Sequence, residues 1–427
     1  MIFLYAPVIL LPLFAFNDGT IIAFPLSGYT TKWFVSLWET EALHGAVSNS
    51  LLVAVTLAWL WPSYDYLPAE AANLSVQRLN DGPIIDTAMS AGLTALAKQE
   101  GYSNINGPSL IRVPDWVENP LGNYYLYFSH HKGDFIRLAY ADKVEGPWSI
   151  YEPGALGLNQ SGFPSDSIPS LSLGEGLAEL WNSVSVYLFR DSILALYQAV
   201  VTDQELRKQR GIVASQSLKP HIASPEVVID NANQQIVMFF HGQRDSLSQV
   251  SGVAVSTNGV DFTVSEQKLG AVYLRSFAYR DQYYFLAAPG ILYRSDKLLG
   301  DYEPRRKSLL GTDARHSAVL VQGDRLTVVW SRVGDAPERL LVSTVSLAAS
   351  DWNDWVPTYP SELLRGQQPW EGSELPVQPS LRGETFEATN DLRDPDIFVD
   401  TDGQIYLLYV AAGEQSIGVV RLNQAPL

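Results

Sequence analysis

The chain of 427 residues contains no cysteine, and its basic residues are few. The absence of cysteine excludes disulfide bonds, a thiolate nucleophile and a cysteine-ligated metal. The 29 lysines and arginines are outnumbered by 46 aspartates and glutamates, which gives a net charge of −17. Nucleic-acid binding depends on a basic surface that neutralises phosphates, so this balance argues against nucleic acid as a partner. The hydrophobic content of 46%, in contrast, is enough for a sizeable folded core.

Long hydrophobic runs are also missing. The first run, MIFLYAPVILLPLFAF, has 16 residues, whereas a membrane-spanning helix takes about 20. A second run, at residues 51–61, is shorter still. The first run also lacks the basic start and the small-residue cleavage site of a secretory signal.

Residues 1–61 nevertheless contain the phrases FND, PLSGYTTKWF and NSL. On these phrases the segment resembles the N-terminus of a permease subunit of polyamine-type ABC transporters, without the later helices of such a subunit. We interpret it as a permease-like apolar leader that arose by gene fusion or sequence error. An ABC permease fragment and an amphipathic leader that packs on the next domain are the alternatives. Membrane contact is expected only if the leader is genuine, and the compartment, cytoplasmic or periplasmic, stays open.

From residue 104 onward, one pattern recurs five times. Each copy has an entering strand, a turn, an aromatic-rich strand such as NYYLYFS or QIYLLYV, and a third strand after a variable loop. Copies about 40–50 residues apart, with three to four strands each, are typical of propeller blades. We predict an all-β five-bladed propeller over residues 104–427, a linker and lead-in at 62–103, and a partly helical insertion at 156–219. A two-sheet sandwich is the alternative, but it would not repeat a polar start at every first strand.

Polar residues stand at the start of the first strand in each copy. In a propeller these strands line the central channel, so their starts converge at one face. We therefore predict one shared pocket for a carbohydrate. The predicted substrate-binding residues are Asn106, His131, His221, Glu226, His241, Arg275, Arg315, His316, Arg332 and Arg393.

The stretch RDPDIFVDTDGQIYLLY, together with YYLYF and LAYAD earlier in the chain, resembles the five-bladed propeller glycosidases of family 43. The resemblance covers residues 103–422 and implies a glycoside hydrolase, in which two carboxyl groups bracket the scissile bond. It implies an Asp of the first blade as general base, a second Asp that tunes the pKa, and a Glu before Gly-Pro as general acid. Only Asp394 fits this pattern directly, because Asn106 and Ala223 stand where acids are expected.

The missing acids leave two hypotheses. The first is a displaced pair of catalytic acids: besides Asp394, the candidates are Asp335 and Glu338 in one loop and Glu371 in another. Glu371 follows Trp370, and burial there would raise its pKa towards that of a general acid. Solvated surface charges are the alternative for both loops. The second hypothesis is a carbohydrate-binding propeller without catalysis.

Arginines at three strand starts predict a negatively charged ligand. Arg275, Arg315 and Arg393 each offer a forked, permanently charged set of donors, which suits a carbohydrate carrying a uronate, sulfate or phosphate group. Phosphorolysis is a further alternative. The histidines lack close metal-ligand spacing, so we predict no metal and no cofactor, with a channel-bound ion as the alternative.

Overall fold

The computed structural model describes residues 30, 66–70, 74–172, 219–246, 248–305 and 307–424. All of the predicted leader except Thr30, and most of the predicted insertion, lie outside these residues. Residues 63–427 form one compact unit, divided from residues 1–62. In the described part of the chain, no helix is long and apolar enough to cross a membrane.

Strands dominate the described residues. In chain order they are β1 (Leu74–Arg78), β2 (Ile85–Asp86), β3 (Asn106–Arg112), β4 (Tyr124–Ser129), β5 (Phe135–Ala141), β6 (Ser149–Gly157), β7 (Ile222–Asp230), β8 (Gln235–Gln243), β9 (Gln249–Ser256), β10 (Thr263–Leu269), β11 (Val272–Tyr279), β12 (Gln282–Ala288), β13 (Ile291–Ser295), β14 (Glu303–Pro304), β15 (Ala314–Gln322), β16 (Arg325–Arg332), β17 (Leu340–Ser346), β18 (Ser361–Leu364), β19 (Arg393–Val399), β20 (Ile405–Ala411) and β21 (Ser416–Gln424). The helical elements are α1 (Ala91–Glu100) and the 3-10 turns Thr87–Met89, Leu158–Gln160, Trp352–Asp354 and Pro369–Glu371.

These strands form five antiparallel sheets, one for each blade. Blade 1 contains β3 to β6, blade 2 contains β7 to β10, blade 3 contains β11 to β14, and blade 4 contains β15 to β18. Blade 5 contains β19 to β21 with β1 and β2. The first strands β3, β7, β11, β15 and β19 contact one another in a closed circle, so they line the axis. The prediction of an all-β five-bladed propeller is confirmed.

The hydrophobic core is divided into five clusters, and each cluster lies between two neighbouring blades. The central strand β4 illustrates the pattern. Tyr125 and Tyr127 pack towards blade 2, whereas Leu126 and Phe128 pack towards blade 5. Successive side chains of a strand point to opposite faces, so a strand buried on both faces is apolar throughout. A two-sheet sandwich would have one such interface, which excludes that alternative.

The N-terminal strand closes the propeller. β1 pairs with the C-terminal strand β21, in a register that joins Leu74 to Gln424 and Arg78 to Val420. Residues 62–103, the predicted linker and lead-in, include β1 and β2, which are strands of blade 5. β1 is recognisable only through its partner, because a short strand at the edge of a sheet carries little periodic signal of its own.

The single described α-helix, α1, brings the chain from blade 5 to the start of blade 1. It begins at Ser90, whose hydroxyl accepts a 3.0 Å hydrogen bond from the Leu93 backbone N–H. It ends at Gly101, which adopts the left-handed conformation (φ 82°) common at helix C-termini. The helix thereby places Glu100 and Tyr102 next to His130, which follows the end of β4.

Candidate functional site

Each inner strand carries one extra residue near its start. The pairing with the second strand shifts at the same place in β3, β7, β11, β15 and β19. Such a bulge redirects the local side chains. Four of the five bulges contain a residue with a positive φ, namely Gly107, Ser224, Tyr273 and Asp394. The five bulges therefore occupy equivalent positions around the channel.

Residues of the five bulges contact one another in a closed circle, which we call the channel ring: Gly107, Ser224, Tyr273, His316 and Asp394. A Cβ built on Gly107 would lie 2.9 Å from the Cα of Ser224, and the Ser224 side chain contacts Tyr273. The Tyr273 and His316 rings lie 4.1 Å apart. His316 Nδ1 contacts Asp394 Oδ1, and Asp394 Oδ2 accepts a 3.3 Å hydrogen bond from the Gly107 N–H. The starts of the five first strands therefore meet at one place.

Asp394 is the one carboxylate in the channel ring. Position 107 cannot carry a side chain without displacing the Ser224 backbone, and its φ of 58° favours glycine. Asn106 stands beside the ring, where its Oδ1 accepts a 2.8 Å hydrogen bond from the hydroxyl of Ser129. That hydroxyl in turn accepts a hydrogen bond from the Ser224 N–H. Asn106 thus belongs to the support of the ring.

Two residues beyond the ring position of blade 3, Arg275 closes the channel. Its guanidinium donates hydrogen bonds to the carbonyl oxygens of Pro108, Pro225 and Pro395 at 3.0, 3.1 and 3.4 Å. It also forms a 2.9 Å ion pair with Glu226. These partners come from blades 1, 2 and 5, so Arg275 and Glu226 tie the inner strands together. Both were predicted to bind substrate, and the contacts that they make are with each other and with the channel wall.

Asp396 occupies the corresponding position of blade 5 and differs from an ordinary aspartate. Burial raises its pKa to about 7, and nearby Glu226 adds to this shift while Arg275 opposes it. One carboxylate oxygen accepts a 2.9 Å hydrogen bond from the Leu110 N–H. The sequence analysis did not select Asp396, although it lies only two residues after Asp394.

We expect Asp396→Asn to alter the pH dependence of stability. An aspartate in the unfolded chain titrates near about pH 3.9, whereas Asp396 in the folded protein titrates at about 7. The folded state therefore holds an extra proton between these values, and the resulting stabilisation is lost as the pH rises from 4 to 7. Urea unfolding at about pH 5 and about pH 8 measures this effect. The variant should gain stability relative to the wild type at the higher pH, and an equal difference at both values would contradict the assignment.

Arg315 and Arg393 face three buried carboxylates. Arg315 Nε donates a 2.8 Å hydrogen bond to Glu338. Arg393 lies 2.9 Å from Asp391, 3.5 Å from Glu338 and 3.7 Å from Glu414. All five side chains are buried. Because two cations face three anions here, the arginines are neutralised within the protein, and this removes the basis for the predicted negatively charged ligand.

The predicted acids of the blade 4 loop are held in ion pairs. Burial acts to raise the pKa of Glu338, but the charges of Arg315 and Arg393 outweigh it and lower the pKa. Asp335 lies 3.0 Å from both Arg332 and Arg339. Glu338 is therefore kept ionised, which suits a structural anion better than a general acid.

Glu371 does not have the raised pKa that its position beside Trp370 predicted, so that prediction is wrong. Burial does act to raise the pKa, but hydrogen bonds from Arg78, Gln367, Tyr409 and the Gln368 N–H lower it overall. The Arg78 ion pair is 2.8 Å long, and the Tyr409 hydroxyl donates at 2.6 Å. Glu371 therefore links Arg78 of β1 to Tyr409 of β20.

The predicted histidines surround the channel ring. His131 Nδ1 lies 3.1 Å from Glu414, and His221 Nδ1 donates a 2.7 Å hydrogen bond to the Lys219 carbonyl. The His241 ring packs 4.5 Å from the Tyr273 ring. Burial lowers the pKa of His221 to about 4 and that of His241 well below the ordinary range. Among the residues that the structure describes, no group of three or more histidines and carboxylates has the geometry of a metal site.

A cavity of about 250 Å³ opens beside Arg393 and Asp391. Its wall is the loop 378–389, which the sequence analysis did not select. Phe386 of this loop is 43% exposed, and its ring packs edge-on against Tyr102 at 5.1 Å. The cavity also receives polar side chains, those of Ser380, Glu384, Thr385 and Thr389. It thus combines an exposed aromatic surface with several hydrogen-bonding groups.

Three members of the channel ring, Gly107, Ser224 and Tyr273, are not among the residues predicted from the sequence. Gly107 and Ser224 each precede a proline, in the sequences Gly-Pro-Ser and Ser-Pro-Glu, whereas Tyr273 precedes Leu274. Pairing with the second strand resumes at Ser109 in blade 1 and at Arg275 in blade 3, so these two residues are equivalent. Tyr273, two residues before Arg275, is therefore equivalent to Gly107. The missing proline in blade 3 concealed this equivalence.

Comparisons with known proteins give one sequence relative. The chain is 30% identical over 344 residues to the "Uncharacterized protein R118" of Acanthamoeba polyphaga mimivirus, and the match covers 75% of this chain and 83% of the relative. No family model matches the chain. The resemblance of residues 1–61 to a transporter subunit is therefore without support. Apart from Thr30, these residues lie outside the described part of the chain.

Several solved structures are similar at low identity. A β-xylosidase/α-arabinofuranosidase of family GH43 from a compost metagenome, in complex with xylotriose, has a TM-score of 0.45 and 12% identity, covering 82% of this chain and 95% of that one. A thermostable family-43 glycoside hydrolase has a TM-score of 0.42 and 11% identity, covering 75% and 88%. An N-acetylgalactosamine deacetylase from F. plautii, in complex with blood group B trisaccharide, has a TM-score of 0.44 and 9% identity, covering 82% and 95%. With TM-scores below 0.5, these likenesses say nothing about the chemistry of this chain.

Proposed function

The chain belongs to the family of the uncharacterised mimivirus protein, and we propose that it binds a carbohydrate at the channel ring and cleaves a glycosidic bond there. The observation that carries this proposal is the contact of Asp394 with His316 in the channel ring. It places a carboxylate and an imidazole together at the point where all five blades meet. Such groups transfer protons in hydrolytic reactions.

Backbone strain supports the same location. Asp394, Ser224 and Tyr273 are non-glycine residues with φ values of 44°, 49° and 53°. Each such residue costs about 1–3 kcal/mol, and residues of this kind cluster at functional sites because the surrounding structure must hold them in place. Three of them in one ring of five make the ring the strongest candidate for chemistry.

A neutral carbohydrate fits the site better than a charged one. The arginines that predicted an anionic sugar are paired with Glu226, Glu338, Asp391 and Glu414. In the neighbouring cavity, the exposed ring of Phe386 offers an apolar surface on which a sugar ring can stack. The hydroxyl groups of the same cavity can donate hydrogen bonds to sugar hydroxyls or accept them, and its carboxylates can accept them. No cofactor is required for this reaction.

A panel of substrates tests the proposal. Purified protein is incubated with neutral 4-nitrophenyl glycosides and with neutral and uronate-containing oligosaccharides. We expect turnover of at least one neutral substrate. We expect Asp394→Asn to lower kcat by about 10²–10⁴-fold, because the variant removes one partner of the pair on which proton transfer depends. Asp402→Asn, an exposed turn residue of the same blade, is the matched control and should leave kcat unchanged.

Two outcomes would contradict the proposal. One is wild-type activity in Asp394→Asn, which would remove the channel ring from the reaction. The other is turnover of uronate-containing substrates alone, which would show that the ligand is negatively charged. Circular dichroism and thermal unfolding of each variant separate loss of activity from loss of fold.

A carbohydrate-binding protein without catalysis is the second candidate. It is favoured by the channel ring itself, in which Gly107, Ser224 and Tyr273 supply no carboxylate. Glu338 and Glu371 are in addition held ionised by ion pairs. Binding of oligosaccharides in a calorimeter, with no turnover of any substrate in the panel, would favour this candidate over hydrolysis.

A further inference from the structure

We propose that His316 is the catalytic base of the channel ring and that Asp394 is a positioning residue, an inference that rests on the proposed glycosidase function. The reaction would then use one imidazole paired with a carboxylate, in place of the two carboxyl groups that the sequence resemblance implies.

Accessibility distinguishes the two partners. The Asp394 side chain is 2% exposed, whereas that of His316 is 8% exposed. Asp394 Oδ2 is occupied by the Gly107 N–H, and its Oδ1 faces His316 Nδ1. The Nε2 atom of His316 has no hydrogen-bond partner among the described residues and does not belong to their fully buried polar atoms. It is therefore the atom of the pair that a water molecule or substrate can reach.

The neighbours of His316 favour a neutral ring with a defined orientation. Burial lowers its pKa well below the ordinary value, and the charges of Arg315, His131, Arg275 and Arg393 act in the same direction. In a neutral imidazole one nitrogen carries the proton and the other accepts. Contact with the Asp394 carboxylate selects the tautomer with the proton on Nδ1, so Nε2 is left with a free lone pair.

Aromatic packing holds the ring in place. Tyr273 lies 4.1 Å from the His316 ring on one side and 4.5 Å from the His241 ring on the other. The interplanar angles are 39° and 42°, so the three rings form a tilted row along the channel mouth. This row fixes the direction of Nε2 without a further hydrogen bond to it.

In the proposed step, His316 activates a water molecule. Nε2 takes a proton from a water molecule while the water oxygen forms a bond to the anomeric carbon. The glycosidic C–O bond breaks, and its electron pair leaves on the departing oxygen. With a 2,4-dinitrophenyl glycoside the leaving group departs as a phenolate that needs no proton, and the imidazolium returns its proton to solvent. Asp394 stays ionised throughout and stabilises the imidazolium.

Two substitutions of His316 separate a catalytic role from a structural one. In His316→Asn the side-chain amide can still face Asp394 from the position of Nδ1, but nothing replaces Nε2. In His316→Ala the whole ring is removed, which leaves a space that an added small base can enter. Kinetics are measured with the 2,4-dinitrophenyl derivative of whichever neutral glycoside the wild type cleaves, and thermal unfolding is recorded for every variant. His130→Gln, a histidine that contacts Glu100 outside the ring, is the matched control.

We expect kcat of His316→Asn to fall by about 10²–10⁴-fold with little change in KM and with an unfolding midpoint close to that of the wild type. Added imidazole should restore part of the activity of His316→Ala, because a small base can enter the space left by the ring. His130→Gln should retain the wild-type kcat. This pattern would support His316 as the base.

The inference would be overturned if His316→Asn kept the wild-type kcat while Asp394→Asn lost it. Asp394 would then be the base itself, and the proposed glycosidase function would stand. It would also be overturned if all His316 variants unfolded and imidazole rescued none of them. Absence of any turnover by the wild type is a separate result, which removes the proposed function and this inference with it.

Discussion

Arg393→Met is expected to lower the free energy of unfolding by about 3–5 kcal/mol, because it removes one partner of a buried ion network. The Arg393 side chain is 1% exposed and lies 2.9 Å from Asp391, 3.5 Å from Glu338 and 3.7 Å from Glu414. Without the guanidinium, Glu338 would keep its ion pair with Arg315 and Glu414 its contact with His131, but Asp391 would lose its cationic partner. Methionine has a similar length, so loss of packing contributes little to the expected change.

Urea unfolding at neutral pH measures the effect of Arg393→Met. The matched control is Arg365→Met, which breaks an exposed ion pair with Glu362 and should cost less than about 1 kcal/mol. If both variants lost the same small amount of stability, the buried network would not contribute to the fold as described.

The same substitution has an expected signature in acid. Burial acts to raise the pKa of Glu414, but His131 and Arg393 lower it to about 2. A lowered carboxylate pKa contributes stability that is present above about pH 4.5 and is lost as the pH falls towards 2. Part of this acid-sensitive stability should disappear in Arg393→Met, so the variant should show a shallower loss of stability over that range than the wild type.

Arg275→Met is the second substitution for which we expect a large effect, again about 3–5 kcal/mol. Three buried carbonyl oxygens, those of Pro108, Pro225 and Pro395, would lose their donor. Glu226 would lose its ion pair and keep only the hydrogen bonds from Ser276. Buried polar groups that lose a partner cost far more than an average hydrogen bond contributes.

Arg275→Lys provides the graded comparison for this prediction. Lysine keeps the charge beside Glu226 but cannot reproduce the forked geometry, so its stability should lie between those of the wild type and Arg275→Met. Arg275 also lowers the pKa of Asp396. The loss of stability that begins at about pH 4 should therefore continue to a higher pH in Arg275→Met than in the wild type, beyond about pH 7. Equal stability of lysine and methionine variants would mean that the charge has no role in the channel.

The propeller could be predicted from the sequence because each blade repeats a local pattern. Stretches such as Tyr124–Ser129 and Ile405–Ala411 are aromatic and aliphatic at every position but Ser129, which is expected of strands buried on both faces. The polar starts of the first strands indicated a convergence point, and Asp394 and His316 do meet there. The strand β1 escaped prediction because its place depends on β21, which lies more than 300 residues away in the chain.

The electrostatic character of the site could not be predicted in the same way. Arg275, Arg315 and Arg393 appear as a basic cluster when only the strand starts are compared. Asp391 and Glu414, two of the partners of Arg393, lie in loops before β19 and after β20. The distances that neutralise Arg393 exist only in the folded chain. For the same reason, the sequence could not show that Glu371, a predicted catalytic acid, forms an ion pair with Arg78.

Periodicity and turn residues were thus sufficient to establish five radial blades and the approximate position of their meeting point, since both follow from interactions between near neighbours in the chain. The identity of the ionised groups, the orientation of His316 and the closure of the channel by Arg275 were decided by tertiary structure alone. Charge pairing and burial depend on distances across the channel, and these are set only when all five blades have closed around it.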